Sequence, residues 1–324
     1  MVKKRVIALA FSDLHINDWA KFNENNQRTL SHFSALYLIK KVCLKYGCPA
    51  LFCGDLFHKP ENMSLGLARD VVEHFGQLDI TSWDMWCISG NHDISKMVQV
   101  GKPMPPSWVE VMSKQYNFIK DLDFKSKENK DIAVYGVPHI DHNIGLNDYI
   151  QGLKLSSTKK NILLLHTDYP GAKDTDGSEV GTSENLNTNL LNRFDLTLIG
   201  HIHKPQRLGK KVYMVGAPMQ QRRTDKNCDL GYWLIYEDLT LKFHPFDTFP
   251  KFIDVTSEDQ IKQDGNYYTV ISDKVAQSEA KVENTLRRSL SKKRIVRRYL
   301  KDQGIADPKK KSILLDIIKE SEND

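Results

Sequence analysis

Six short apolar runs recur between residues 6 and 199, and each gives way abruptly to polar groups. They are Val6–Phe11, Pro49–Cys53, Met85–Ser89, Ile132–Val137, Ile162–His166 and Leu196–Ile199. Continuous apolar runs of this length, bounded by turn residues, predict buried strands. Residues 28–46 and 64–78 show the spacing of amphipathic helices lying between them. Strands alternating with helices predict an α/β layer architecture. Further on, Val212–Val215, Tyr232–Tyr236 and Leu239–Phe243 follow one another as strands, so the pattern changes to antiparallel β near its end.

A break at His244-Pro245 to Pro250 closes this region. Two more strand-like pieces, Phe252–Val255 and Tyr267–Ile271, follow it. From about 277 the chain is helical and basic: residues 277–324 carry 13 Lys/Arg against 8 Asp/Glu, while the 33 basic and 33 acidic residues before them cancel. Within this tail, 281–301 holds nine basic groups and one acidic group. Asp307-Pro308 supplies an N-cap and first-turn pair for a last helix bearing Ile313, Leu314, Leu315, Ile317 and Ile318. The expected organisation is therefore 1–248 as the main domain, 249–276 as a small cap and 277–324 as a basic helical tail.

Composition excludes several classes. Apolar residues make up 40% of the 324 positions and charged residues 27%, a soluble balance that needs no staples to hold a core. No stretch approaches the roughly 18 apolar residues of a membrane span. The run after Met-Val-Lys-Lys-Arg is too short for a signal sequence, so secretion is not expected. Cys43, Cys48, Cys53, Cys87 and Cys228 form no Cys-x-x-Cys pair, which argues against structural zinc and for reduced thiols in a cytoplasm. No Gly-x-x-x-x-Gly-Lys-Ser/Thr loop occurs, so any use of ATP must come from a partner.

Five polar segments each follow an apolar run: Asp13-Leu14-His15, Gly54-Asp55-Leu56-Phe57-His58, Gly90-Asn91-His92-Asp93, His166 and Gly200-His201-Ile202-His203. Ligands of α/β sheets bind beyond the carboxyl ends of strands, so these segments are expected to share one rim. Singly they say little. Asp-x-His arises by chance, a lone strand-end histidine is more often structural, and Gly-Asn-His-Asp could be an Asx turn. Gly-His-x-His puts two imidazoles on one side of an extended segment. Their joint occurrence in this order is what makes a purely structural reading improbable. His32 and His74 read as surface or packing residues on helices. His139 and His142 read as loop residues or as a wall of the cleft.

The order DxH, GDxxH, GNHD, H, GHxH over residues 5–245 resembles the calcineurin-like metallophosphoesterase superfamily. Within it, Gly54-Asp55-Leu56-Phe57-His58 with Pro60, Gly216-Ala217-Pro218, and Phe246-Asp247-Thr248 running to Phe252 are most similar to SbcD-type double-strand-break-repair nucleases. Gly-Ala-Pro replaces the usual Gly-Ser-Pro, and Thr-Asp-Tyr-Pro-Gly after His166 is not the commonest wording. The C-terminal part is shorter than in cellular members, as in a compact phage-encoded form. The resemblance implies a four-layer metallophosphoesterase β-sandwich flanked by helices, α/β (α+β) in class, with a small C-terminal cap and a helical tail.

It also implies roles. Asp13, His15, Asp55 and His203 would hold one divalent ion, and Asp55, Asn91, His166 and His201 the other, with Asp55 bridging. Mixed N/O ligation suits manganese, iron or zinc and disfavours calcium. The family habit points to Mn²⁺, with Mg²⁺, Fe²⁺ or Zn²⁺ as alternatives. Two such ions clamp a phosphodiester and activate water for in-line attack on phosphorus. His92 would steady the transition state or protonate the leaving 3′-oxygen, Asp93 would orient its imidazole, and His58 would contact the substrate at the rim.

The implied activity is that of an Mn-dependent DNA exonuclease and endonuclease. It would be the catalytic subunit of an SbcCD-type complex serving DNA repair, recombination and replication in a bacterial or phage-infected cytoplasm. A phosphoprotein or small-molecule phosphatase of the same superfamily is the alternative, and a non-catalytic scaffold is a third. Implied partners are DNA, an SbcC-type coiled-coil ATPase and a second copy of the chain, with no membrane. For the basic tail, a solvated face, a DNA-backbone contact and an ATPase contact all stay open.

Overall fold

The structure, a computed structural model, describes residues 4–94, 106–140, 145–180 and 186–271. The expected basic tail, its last helix, and His142 lie outside these residues. The chain divides into two compact units, Met1–Ile253 with Lys262–Tyr267, and Asp254–Ile261 with Tyr268–Asp324.

The first unit is built on two six-stranded mixed sheets. The first contains β1 (Val6–Phe11), β2 (Ala50–Phe52), β3 (Met85–Cys87), β4 (Ile119–Asp121), β11 (Gly231–Tyr236) and β12 (Leu241–Pro245). Their order is β12-β11-β1-β2-β3-β4. The second contains β5 (Ser126–Glu128), β6 (Ile132–Val137), β7 (Lys160–His166), β8 (Leu196–Gly200), β9 (Gln206–Arg207) and β10 (Val212–Met214), in the order β5-β6-β7-β8-β10-β9. β1, β2 and β3 run parallel, as do β6, β7 and β8. Parallel alignment sends the carboxyl ends of the strands in each group to the same edge.

Strand alternation sorts the core into layers. Leu9 and Phe11, Ala50 and Phe52, and Met85 and Cys87 turn to one face. There they meet the helices α1 (Gln27–Tyr46), α2 (Leu65–Asp79) and α3 (Trp108–Gln115) through Phe33, Leu36, Phe75 and Val109. The intervening residues, Ala8, Ala10, Leu51, Cys53, Trp86 and Ile88, pack against Val134, Leu164 and Leu198 of the second sheet. The far face of that sheet, Tyr135, Leu163, Leu165 and Ile199, is covered by Leu146 and Ile150 of α4 (Leu146–Gly152) together with Phe194. The result is the expected four layers, helices–sheet–sheet–helix.

Two features differ from the sequence expectation. Val212–Met214 does not continue an antiparallel run with Tyr232–Tyr236: it pairs parallel to β8 in the second sheet, while β11 crosses back to lie antiparallel to β1. The helices α3 and α4 and the strands β4 and β5 carry no apolar run long enough to have been expected. The two expected C-terminal strands, β13 (Phe252–Val255) and β14 (Tyr267–Val270), pair with each other in a two-stranded sheet. All five cysteines are free thiols. Among the described residues no helix is long and apolar enough to cross a membrane.

Candidate metal centre

The loops leaving β1 and β2 run side by side past the sheet edge. The N–H groups of Asp13 and His15 donate to the carbonyls of Gly54 and Asp55 at 2.9 and 3.0 Å, and that of Ile16 donates to Leu56 at 2.9 Å. These turns are held in left-handed backbone: φ is 53° at Asp13 and His15, 62° at Asp55 and 99° at His201. Such conformations in non-glycine residues persist only where the surroundings over-determine them, and they cluster at functional sites. Gly54 has φ 97°, and a Cβ there would run into the His166 ring and come within 2.8 Å of the Gly90 backbone nitrogen. Glycine at this crossing lets loops from both sheets reach one point.

Three groups of side chains converge there, each with ligand atoms within 4.8 Å of one another: Asp13, His15 and His203; Asp55, His166 and His201; and His15, His58 and His92. Asp55 links the first two. Its Oδ2 lies 3.3 Å from His166 Nε2 and 3.7 Å from His15 Nε2. Asn91 Oδ1 sits between His166 Nε2, at 3.1 Å, and His201 Nδ1, at 3.0 Å. His203 Nε2 faces His15 Nε2 at 3.3 Å. The Asp13 carboxylate accepts the His201 N–H at 3.1 Å, tying the end of β8 to the end of β1. All seven expected ligands, Asp13, His15, Asp55, Asn91, His166, His201 and His203, are thus brought together.

The atoms behind the rings decide which nitrogen faces inward. His166 Nδ1 lies 2.7 Å from the Cys53 carbonyl, which can only accept, so the proton sits on Nδ1. His203 Nδ1 lies 3.1 Å from the Asp225 carboxylate, with the same consequence. The inward atoms are then Nε2, which face Asn91 Oδ1, Asp55 Oδ2 and His15 Nε2. Mixed imidazole, carboxylate and amide groups converging this closely suit a divalent transition metal. The residues therefore fit a two-ion centre.

The rings differ in their electrostatics. Burial pushes His15 well below its ordinary pKa, and burial with neighbouring His166 pushes His201 down to about 3, so both rings are neutral. Burial would also lower His166, but the Asp55 carboxylate outweighs it and raises the ring to about 9, which favours a second proton on Nε2 that a bound ion would have to displace. Burial would raise Asp225, yet the bond from His203 and the Arg222 charge hold it well below the usual carboxylate range.

His92 stands beside the cluster with its ring centroid 4.9 Å from that of His15. Its Nδ1 donates to the His58 carbonyl at 2.8 Å, leaving Nε2 as its outward atom. The expectation that Asp93 orients this imidazole is not what the bonds show. Asp93 is fully buried, and its carboxylate accepts the N–H groups of Leu56, Phe57 and Gly90 at 3.0–3.1 Å. It fixes the loop backbones, and the His58 carbonyl takes the imidazole. The His58 ring is half-buried, stacked between His92 (4.9 Å) and Trp19 (5.3 Å), with Nδ1 3.4 Å from His15 Nδ1.

Of the other histidines, His139 forms a wall of the site, stacked 6.2 Å from His201. His74 packs on Phe33 at 4.4 Å, as expected for a packing residue. His32 is 1% exposed and bonded on both ring nitrogens, so it is an internal residue. The sequence reading missed Asp225, Asp168 and Trp19. Asp168 Oδ1 lies 3.4 Å from His201 Nε2, and the same i, i+2 rule that singled out Gly-His-x-His would have put it beside His166. Asp225 sits 22 residues beyond His203 in an Arg-Arg-Thr-Asp turn and carries no such signal.

Residues 8–205 match the calcineurin-like phosphoesterase family, and the chain belongs to it. The family is one of metallophosphoesterases, and this chain has His/Asp clusters able to hold metal. It is similar to the SbcD component of the SbcCD nuclease of Staphylococcus epidermidis (strain ATCC 12228 / FDA PCI 1200), with 23% identity over 210 residues. That stretch is 56% of this chain and 53% of the relative, so the match spans about half the relative's length. Among solved structures, Pseudomonas putida nuclease MPE aligns over 54% of this chain and 67% of its own, with 14% identity and a TM-score of 0.28. Another aligns over 74% and 98% at 12% identity and a TM-score of 0.46.

Proposed function

We propose that this chain is a two-metal DNA nuclease, activated by Mn²⁺ and working as the catalytic subunit of an SbcCD-type complex. One observation carries the reading: Asp55 Oδ2 stands between His15 of one cluster and His166 of the other, the place of a carboxylate shared by two ions. The similarity to an SbcD nuclease component and the basic segment 281–301 support DNA as the substrate. In this reading residues 1–248 form the nuclease domain, 249–276 a cap and 277–324 the tail that meets a coiled-coil ATPase.

Asp13, His15, Asp55 and His203 would hold one ion, and Asp55, Asn91, His166 and His201 would hold the other. Two such ions, when bound there, would supply Lewis-acid polarisation of a phosphodiester and of water. The chain's own part is positioning and proton handling. His92, with Nδ1 committed to the His58 carbonyl, presents Nε2 to a non-bridging phosphate oxygen or to the leaving 3′-oxygen. The stacked His58 and Trp19 rings fix the plane in which it does so.

The test is digestion of linear duplex DNA with Mn²⁺, beside p-nitrophenyl phosphate. Cleavage of DNA that vanishes in EDTA and returns with Mn²⁺ is expected. Undiminished cleavage in EDTA sinks the two-metal mechanism, and turnover of the nitrophenyl ester alone assigns the centre to a phosphatase.

A further inference from the structure

Two of the candidate ligands, His201 and His203, sit one residue apart yet turn opposite nitrogens inward. His201 directs Nδ1 at Asn91, and His203 directs Nε2 at His15. Each outer nitrogen faces a carboxylate: Asp168 for His201 and Asp225 for His203. The two carboxylates differ sharply in setting. The Asp168 side chain is 46% exposed, and that of Asp225 is fully buried.

Asp225 is also held from every side. Its Oδ1 accepts the Thr175 hydroxyl at 2.8 Å and the Arg222 Nε–H at 3.2 Å. Its Oδ2 accepts the N–H groups of Gln221 at 2.9 Å and Arg222 at 3.2 Å, besides His203 Nδ1 at 3.1 Å. Arg222 is fixed in turn by an ion pair with Asp174. A carboxylate with five donors cannot swing away, so neither the ring angle nor the tautomer of His203 is free. The family match ends at residue 205, before this turn begins.

We propose that Asp225 is a positioning residue for the centre: by holding the proton of His203 on Nδ1, it keeps the Nε2 lone pair aimed at the ion shared with Asp13 and His15. This inference rests on the two-ion reading above. Partners of this kind, behind a ligating histidine, typically govern metal affinity by about 10–100-fold. The exposed Asp168 has no such cage and is the natural contrast.

Mn²⁺ binding is measured by calorimetry and by electron paramagnetic resonance on the full chain, for wild type, Asp225→Asn and Asp168→Asn. Wild type is expected to bind two ions and give a spin-coupled pair. Asp225→Asn is expected to lose about 10–100-fold in affinity at one of the two ions and to show the uncoupled signal at concentrations that saturate wild type. Asp168→Asn is expected to keep the coupled signal. Two ions bound by Asp225→Asn with unchanged affinity overturn the role of Asp225 alone; no ion bound by wild type overturns the two-ion reading and this inference with it. A second measurement needs no variant: in ¹⁵N-histidine-labelled, zinc-loaded wild type the His203 proton is expected on Nδ1, and a proton on Nε2 refutes the assignment.

Discussion

His92 and His32 lie on either side of His58 and Trp19, and they lead to opposite expectations. His92 touches the cluster without belonging to either expected ion set, so its removal separates binding from chemistry. His92→Ala is expected to bind Mn²⁺ and DNA as wild type does and to lose about 10²–10⁴-fold in cleavage rate. Loss of metal comparable to that of His201→Ala would place it among the ligands. His32 is an internal ring bonded to the Arg28 carbonyl at 2.8 Å, with Trp19 and Gln221 on its other nitrogen. Burial lowers it from 6.5 to about 4. Between those values the unfolded chain takes up a proton that the folded chain refuses, so this contribution to stability is present above pH 6.5 and lost as pH falls toward 4. From pH 7.5 to 5 it amounts to about 2 kcal/mol. His32→Gln should flatten the pH dependence of chemical denaturation by that amount; an unchanged slope would remove His32 from the account. At this scale the sequence was legible where chemistry is dense. A ring's partners across a sheet, such as Asp225 or the Cys53 carbonyl, leave no trace in local spacing.

The elements were legible wherever burial is two-sided. β1, β6, β7 and β8 lie between layers, so they read as unbroken apolar runs. β5 is Ser-Lys-Glu at the exposed edge of its sheet and owes its existence to pairing with β6, which composition does not record. The strand ends impose their own requirement. A Cβ at Gly200 would run into the Cys53 carbonyl and the Ser12 hydroxyl and sit 2.9 Å from His166 Nδ1. The carbonyl is backbone and the ring is fixed, so these two have little room to yield. Gly200→Ala should cost about 1–3 kcal/mol through overpacking and should weaken Mn²⁺ binding, because the loops must separate to admit the methyl group. Gly47 has nothing within 4 Å of such a Cβ. Gly47→Ala is strained by its φ of 62° but should leave metal affinity as it is. Equal metal affinities for both variants, measured by calorimetry, would show that close approach at β8 does not shape the centre.

For the whole molecule, the sequence predicted the layers but not the pairing. β1 takes its neighbours from residue 50 and from residue 231, and only the fold reveals that. Asp13, Asp55 and Asn91 come from loops of the first sheet, and His166, His201 and His203 from the second, so bound ions would stitch the two together. Saturating Mn²⁺ should raise the melting temperature, by about 2.7 kcal/mol of stability at a hundred times Kd, and EDTA should reverse it. A melting temperature indifferent to both would deny the stitch. Deleting 305–324 tests the other end of the chain. Basal Mn²⁺-dependent cleavage should survive, since every candidate ligand precedes residue 204, while association with an SbcC-type ATPase and stimulation by ATP should be lost. Normal co-purification of the shortened chain would move the partner surface to 281–301. The division of ligands between two sheets also bears on how such a protein is made. A ribosome delivers the first sheet's ligands about a hundred residues before the last histidine, and β1 lacks one neighbour until residue 231 has emerged. A chain that stops before β11 therefore lacks part of the frame on which the centre rests, although it already carries every candidate ligand.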